Sequence, residues 1–230
     1  MEIVFVGTGG IFDLEFGNSS AIVTRRSRTF LIDCGPTVYP RLYSAGMADP
    51  IDYILVTHLH EDHVGSLSTL ILHTNLRARE KRRATLLYPT EEFREDLTTL
   101  LRYCLGDPSE YVDFVPIEEA HGVGYVETTG LHSPDCRSFA YYFVDGSELI
   151  YFSGDVGDPG VAARFLESRR EEDIRVFHEL YYERKASHSH YSDVHEALGH
   201  YQVYGYHVDP RRVPADNRVP LVAHSPELVL

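Results

Sequence analysis

With 230 residues the chain is long enough to bury a core, and a formal charge of −14, from 35 acidic against 21 basic residues, leaves no excess of positive charge for gripping long nucleic acid. Three cysteines, Cys34, Cys104 and Cys136, fit neither a disulfide framework nor a CxxC metal knuckle, and the start "MEIVFVGTGG" lacks the basic and long apolar regions of a signal peptide. The expectation is a cytoplasmic protein of one domain, residues 1–230, with a small substrate and no membrane partner, in which thirteen histidines are the compositional outlier.

Short strands rich in β-branched and aromatic residues open the chain: "EIVFV", "SAIVT", "TFLIDCG" and "DYILVT". Helical spacing follows where Leu67, Leu70, Ile71 and Leu76 recur, and again in "TEEFREDLTTLLRYC", with Thr90 as its N-cap. A second strand-rich stretch holds "YVETT", "SFAYYFV" and "ELIYFSGD", with "DGSE" at 145–148 as a hairpin turn. Helices are expected near 159–169 and 192–203, with "RVFHEL" and "VPLVAH" as the remaining strands. Two β-rich halves, each trailing helices, predict an α/β fold of two sheets packed face to face with helices outside, an αββα four-layer sandwich.

The stretch "ILVTHLHEDHVGS" packs histidines and carboxylates behind an apolar strand. In extended chain, positions 58, 60 and 62 project to one side, and a turn into a helix brings His63 alongside. That geometry can hold two cations, His58 and His60 on one and Asp62 and His63 on the other. Imidazole with carboxylate suits zinc, and manganese or iron also accept it.

The H-x-H-x-D-H pattern resembles the signature of the metallo-β-lactamase superfamily, whose members share the αββα sandwich and usually bind two divalent metals. The resemblance continues through "TTGLHSP" with His132, "YFSGD" with Asp155 and "VPLVAHSP" with His224. It implies that His58, His60 and His132 hold a first metal, that Asp62, His63 and His224 hold a second, and that Asp155 bridges them. A metal-bridging hydroxide is then the expected nucleophile, oriented in part by Asp62.

Which bond it attacks depends on other residues. "VGTGG" and "GNSSAIV" resemble elements of ribonuclease Z-like phosphodiesterases, and in "FHELYYERKASHSHYSDVHEAL" Glu179 and His190 look like the Glu and His pair of that branch, the His protonating a substrate oxygen and the Glu orienting it. His188 is an alternative register two residues away. Only twenty-two residues separate His132 from Asp155, room for a hairpin but not for the arm with which ribonuclease Z proteins grip transfer RNA. The resemblance is therefore nearer to compact phosphodiesterases that open cyclic mononucleotides, such as the anti-Pycsar type. A transfer-RNA 3′-end endoribonuclease, an acyl hydrolase (lactonase, thioesterase or β-lactamase-like) using the same metals, and a catalytically silent nucleotide sensor are the competing readings.

The basic run "RAREKRRA" reads as a solvated face. Tyr181, Tyr182 and Tyr191, near the proposed acid, could stack on a nucleobase. Tyr201, Tyr204 and Tyr206 are candidates for a homodimer surface, and His195, His200 and His207 are assigned no ligand role.

Overall fold

The computed structural model describes residues 1–49 and 51–230. Its first sheet takes six strands in chain order, β1 (Glu2–Gly7), β2 (Ser20–Arg25), β3 (Arg28–Ile32), β4 (Tyr53–Leu55), β5 (Ala84–Tyr88) and β6 (Val112–Pro116). β1 to β3 are antiparallel, and β3 to β6 are parallel neighbours. The second sheet has β7 (Val123–Glu127), β8 (Phe139–Asp145), β9 (Glu148–Phe152), β10 (Asp173–Glu179) and β11 (Gln202–Tyr206), adjacent in that order.

The helices follow the amphipathic segments. α1 (Val38–Ser44), the single turn α2 (Glu61–Val64), α3 (Leu67–Leu76) and α4 (Glu91–Leu105) belong to the first half, and α5 (Gly160–Glu167) and α6 (Tyr191–Leu198) to the second. Thr90 caps α4 as expected, its hydroxyl accepting the Phe93 amide at 3.2 Å. The 145–148 turn also forms: Asp145 pairs with Glu148 across a two-residue loop whose Gly146 has φ +63°, where a Cβ would be strained. In α3, Leu67, Leu70 and Ile71 are buried but Leu76, at the frayed end, is exposed.

Between the sheets, Phe5 of β1 meets Phe152, Phe177 and Tyr206 of the facing sheet at ring separations of 5.4 to 5.9 Å. All four are fully buried, and each such side chain contributes on the order of 3 kcal/mol of hydrophobic stabilisation. A second apolar cluster joins Tyr151 and Val176 of the second sheet to Leu166 of α5 and to Val194 and Leu198 of α6. Helix, sheet, sheet and helix thus stack as the four layers expected.

Three expectations near the C-terminus fail for one reason. α6 stops at Leu198, and the residues read as its continuation form β11. Tyr206 therefore lies in the core, stacked on Phe152 at 4.8 Å and out of reach of a dimer surface, and Tyr204 is half-buried against Phe177. "VPLVAH" is not a strand: it bridges Gly205 only at Leu221 and then turns into the 3-10 helix Val222–His224. β11 takes the place beside β10, and the terminal segment reaches it at that one bridge. Among the described residues no helix is long and apolar enough to cross a membrane.

Candidate metal centre

Because β8 is antiparallel to both its neighbours and β9, β10 and β11 are parallel, the strands β7, β9, β10 and β11 all end at the same edge. That edge meets the end of β4, where the Phe139 amide donates to the Thr57 carbonyl at 2.9 Å and ties the sheets together. Each of these strand ends releases a chemistry-bearing residue into one crevice: His58 to His63 after β4, His132 after β7, Asp155 after β9, Glu179 at the end of β10 and His207 after β11.

His58 Nε2, His60 Nδ1 and His132 Nε2 converge, with 3.1 Å between the first two and 3.0 Å between His60 and His132. Three imidazole nitrogens so close can be shared by one cation with Zn–N bonds of about 2.0–2.1 Å. Burial, with the neighbouring His63 charge, drives His58 well below the usual imidazole range and keeps it in the neutral, ligating form. His132 is oriented by its Nδ1–H, which donates to the Ser187 carbonyl at 2.8 Å.

A second set is made of Asp62, His63 and His207. His63 Nε2 stands 3.6 Å from Asp62 Oδ2, which is 3.5 Å from His207 Nε2. Asp155 Oδ2 lies between the sets, 3.5 Å from His63 and His207 and 3.8 Å from His132. Asp33, which the sequence did not suggest, sits behind: buried, with φ +62°, it accepts from the Thr57 amide at 2.7 Å and pairs through Oδ2 with His63 Nδ1 at 2.7 Å. This carboxylate–imidazole contact sets the tautomer of His63 and turns Nε2 toward the crevice. Gly35 lets that layer close, since a Cβ there would lie 1.9 Å from the Asp62 carbonyl oxygen.

The donors fit divalent cations on two counts. His63 Nε2 and Asp155 Oδ1 are buried polar atoms without a hydrogen-bond partner, a cost that a bound cation relieves. The site also attracts positive charge. Although burial opposes a charge on His207, Asp155, Asp62 and Glu179 outweigh it and raise its pKa to about 10; His63 is likewise held well above the usual range by Asp155 and Asp33 against its burial. For Asp155, burial works against ionisation, yet His207 and His63 hold the carboxyl well below the carboxylate range.

A proton therefore occupies each of these rings until a cation displaces it, and metal affinity rises with pH. In the metal-free protein, the stabilisation from His207 is complete below the unfolded value of about 6.5 and is lost as pH climbs through about 10. Metal-free protein is expected to melt at lower temperature at pH 9.5 than at pH 6.5, and saturating metal removes that contribution. Differential scanning calorimetry at both pH values, with and without metal, checks it; a melting temperature that rises with pH in the metal-free form would contradict it.

The structure brings together six of the seven expected ligands and leaves the seventh, His224, apart, with His207 beside the others instead. His224 is exposed and makes no hydrogen bond or ion pair with these donors, because it lies in the turn beyond the last strand. His207, assigned no ligand role from sequence, takes that place with φ +71°, a left-handed conformation that swings its ring from the end of β11 into the crevice. The signal was available: "QVYGYH" is an apolar strand ending in histidine, as "YILVTH" is. Glu179 is where the sequence suggested, with Oε1 accepting the Val156 amide at 2.7 Å. Its partner is His188, whose Nδ1 is 2.8 Å from Oε2, and not His190. Residue 190 is the N-cap of α6, and its ring is spent on the Ser192 hydroxyl at 2.7 Å. Tyr181 stacks on His188 at 5.0 Å, whereas the Tyr191 hydroxyl donates to Asp216.

A cleft of about 820 Å³ opens over these residues, lined among others by His60, Asp155, His188 and His207. None of the basic residues between 77 and 83 lines it; Arg83 pairs with Asp113 and Arg82 donates to the Ile51 carbonyl.

Solved structures with the same architecture include the metallo-β-lactamase fold protein YhfI from Bacillus subtilis, at TM-score 0.68 and 16% identity over 94% of this chain and 89% of that one. The short form of human tRNase Z follows at TM-score 0.66 and 19% identity, covering 92% and 94%. A diphosphatase of the PhnP family also reaches 0.66, at 18% identity and coverage of 95% and 93%. The fold is that of the metallo-β-lactamase fold proteins, and the donor set is one that divalent metal ions accept. Within that class the chain belongs to the anti-Pycsar protein Apyc1 family, whose profile matches residues 1–217, a span that includes His207 and ends before His224. An Apyc1 of Paenibacillus sp. (strain J14) is 35% identical over 192 residues, 78% of this chain and 76% of that protein. One from Bacillus phage vB_BsuM-Goe3 is 29% identical over 174 residues, 67% of each.

Proposed function

We propose that this chain hydrolyses the phosphodiester bond of a small, cyclic nucleotide with the help of two divalent cations. The observation that carries the reading is the convergence of two donor sets on Asp155, directly beside the His188–Glu179 pair, whose His188 Nδ1 stands 4.0 Å from Asp155 Oδ2. His58, His60 and His132 would hold one cation and Asp62, His63 and His207 the other, with Asp155 between the two sets. Cations there, with zinc best matched to the donors, would supply Lewis acidity and a water acidified toward neutral pH.

The remaining steps fall to side chains. Asp62 lines the cleft and accepts a hydrogen bond from the attacking water, which aims its lone pair at phosphorus. His188 donates Nδ1–H to Glu179 and turns Nε2–H toward the substrate, and that proton passes to the departing ribose oxygen. Glu179 keeps the ring in that tautomer.

Small substrates are favoured by the cleft itself. Its volume is in the range of small-molecule pockets, and its lining carries Asp13, Glu61 and Glu183 beside Glu15 and Asp209, which pair with Arg211, so acids outnumber the two arginines Arg211 and Arg212 that a polymer's phosphates would meet. The chain between His132 and Asp155 is spent on the hairpin β8–β9, with no arm for transfer RNA. The test is turnover by metal-loaded protein on a panel of cyclic mononucleotides beside a transfer-RNA precursor and bis-p-nitrophenyl phosphate. Opening of a cyclic mononucleotide is the expected result. Cleavage confined to the precursor, or no phosphodiester turnover with metal bound, would refute the proposal.

A further inference from the structure

The loop that borders the cleft from the first sheet, residues 10–16, is firmly held yet ends in uncovered apolar side chains. Asp13 Oδ1 accepts the Glu15 and Phe16 amides at 3.1 and 2.9 Å, and the Asn18 side-chain amide donates to the Gly10 carbonyl at 3.2 Å. The Arg41 guanidinium donates to the Leu14 and Glu15 carbonyls from beneath. From the segment after β11, Arg211 pairs with Glu15 at 2.6 Å and lies over the Phe16 ring at 5.3 Å. A loop tied at so many points could have turned its large side chains inward. It instead holds Phe12 90% exposed and Leu14 80% exposed. An ordered apolar surface facing water at the wall of a cleft is the mark of a binding surface.

Its position says what it meets. At the base of the loop, Gly10 borders His207, and a Cβ there would stand in ordinary contact with Nε2 at 3.6 Å. Phe12 is two residues on, so its Cα lies within about 7 Å of Gly10, and it lines the same cleft as His207 and Asp155. A phosphodiester seated at the donors would place its nucleoside within reach of that ring. Tyr182 and Arg212 line the cleft too, and Arg212 has no ion pair among the described residues. Aromatic faces and a free guanidinium are what a nucleobase stacks on and is held by.

Resting on the phosphodiesterase reading above, we infer that Phe12 is a specificity-determining residue that stacks on the nucleobase of the substrate while the phosphodiester sits at the metal donors. The loop is built before substrate arrives, so little ordering is needed on binding.

The experiment compares the metal-loaded full chain with its Phe12→Ala and Phe12→Tyr variants on a cyclic mononucleotide and on the matching ribose cyclic phosphate without a base. Phe12→Ala is expected to raise KM for the nucleotide about tenfold, the order that loss of one base–aromatic stack brings, with kcat changed less than about twofold. KM for the base-free compound stays where it was, and Phe12→Tyr restores the nucleotide KM. An unchanged nucleotide KM in Phe12→Ala overturns the inference, as does an equal loss on both substrates. If that equal loss comes with a change of mass by light scattering, the tip contacts a second copy of the chain instead. Wild-type protein that hydrolyses neither compound overturns the phosphodiesterase reading and this one with it. Turnover without a Phe12 effect overturns this one alone.

Discussion

His207→Ala is expected to lower turnover of a cyclic nucleotide by at least about a hundredfold, and to lower the bound metal measured by elemental analysis. His224→Ala leaves both within about twofold. The difference follows from position. His207 presents Nε2 at 3.5 Å from both Asp62 and Asp155, whereas His224 is exposed in a turn beyond the last strand. Removing His207 leaves Asp62 and His63 as an incomplete set and strips Asp155 of the positive neighbour that favours its ionised form. Because residue 207 has φ +71°, His207→Asn is the matched control: Asn tolerates the left-handed backbone, so its melting temperature separates loss of the donor from loss of the fold. Metal content and rate that fall with His224→Ala and survive His207→Ala would return the ligand role to the terminal turn.

The second large effect separates His188 from His190, and phosphodiester hydrolysis from acyl transfer. His188→Ala should lower kcat by about 10²–10⁴-fold on a cyclic nucleotide, whose leaving ribose alkoxide needs a proton. On bis-p-nitrophenyl phosphate, whose leaving group is already stable as an anion, the loss should be at least about tenfold smaller. The warrant is the 2.8 Å contact to Glu179, together with the stack on Tyr181 that holds the ring in the cleft. His190→Ala removes only the N-cap of α6 and is expected to cost about 1 kcal/mol of stability, read by denaturant unfolding, with kcat nearly unchanged. Equal losses on both substrates after His188→Ala would remove its role as acid and make it a group that positions substrate or metal. Turnover of lactones or thioesters that is indifferent to His188→Ala would favour the acyl hydrolase.

Much of this centre could be read from the chain because its parts are local. His58, His60, Asp62 and His63 lie within one strand exit, and Asp62 and His63 are neighbours in the chain on the single turn of α2. Asp155 and Glu179 were legible for a related reason, each standing at the end of an apolar run that could only be a buried strand. The carboxylate Asp33 also follows an apolar strand, β3, but no motif around it marks a role. It is one acid in "LIDCG", and its partner His63 is thirty residues away.

By itself the sequence determined the layer architecture, the hairpin that leaves no room for an arm, and every donor adjacent to a strand recognised as such. Those features depend on periodicity, turn chemistry and short-range spacing, which the linear chain carries in full. Tertiary structure alone decided which histidine completes the second donor set and which one faces Glu179. Both choices turn on where a segment ends. α6 stops at Leu198 because the following residues are needed as β11 beside β10, and this puts Tyr206 in the core and His207 at the shared edge. His190 is drawn off to cap that same helix, leaving His188 to point into the cleft. Competition between helix and strand for one segment is settled by packing against the rest of the molecule, and local propensity does not contain that information.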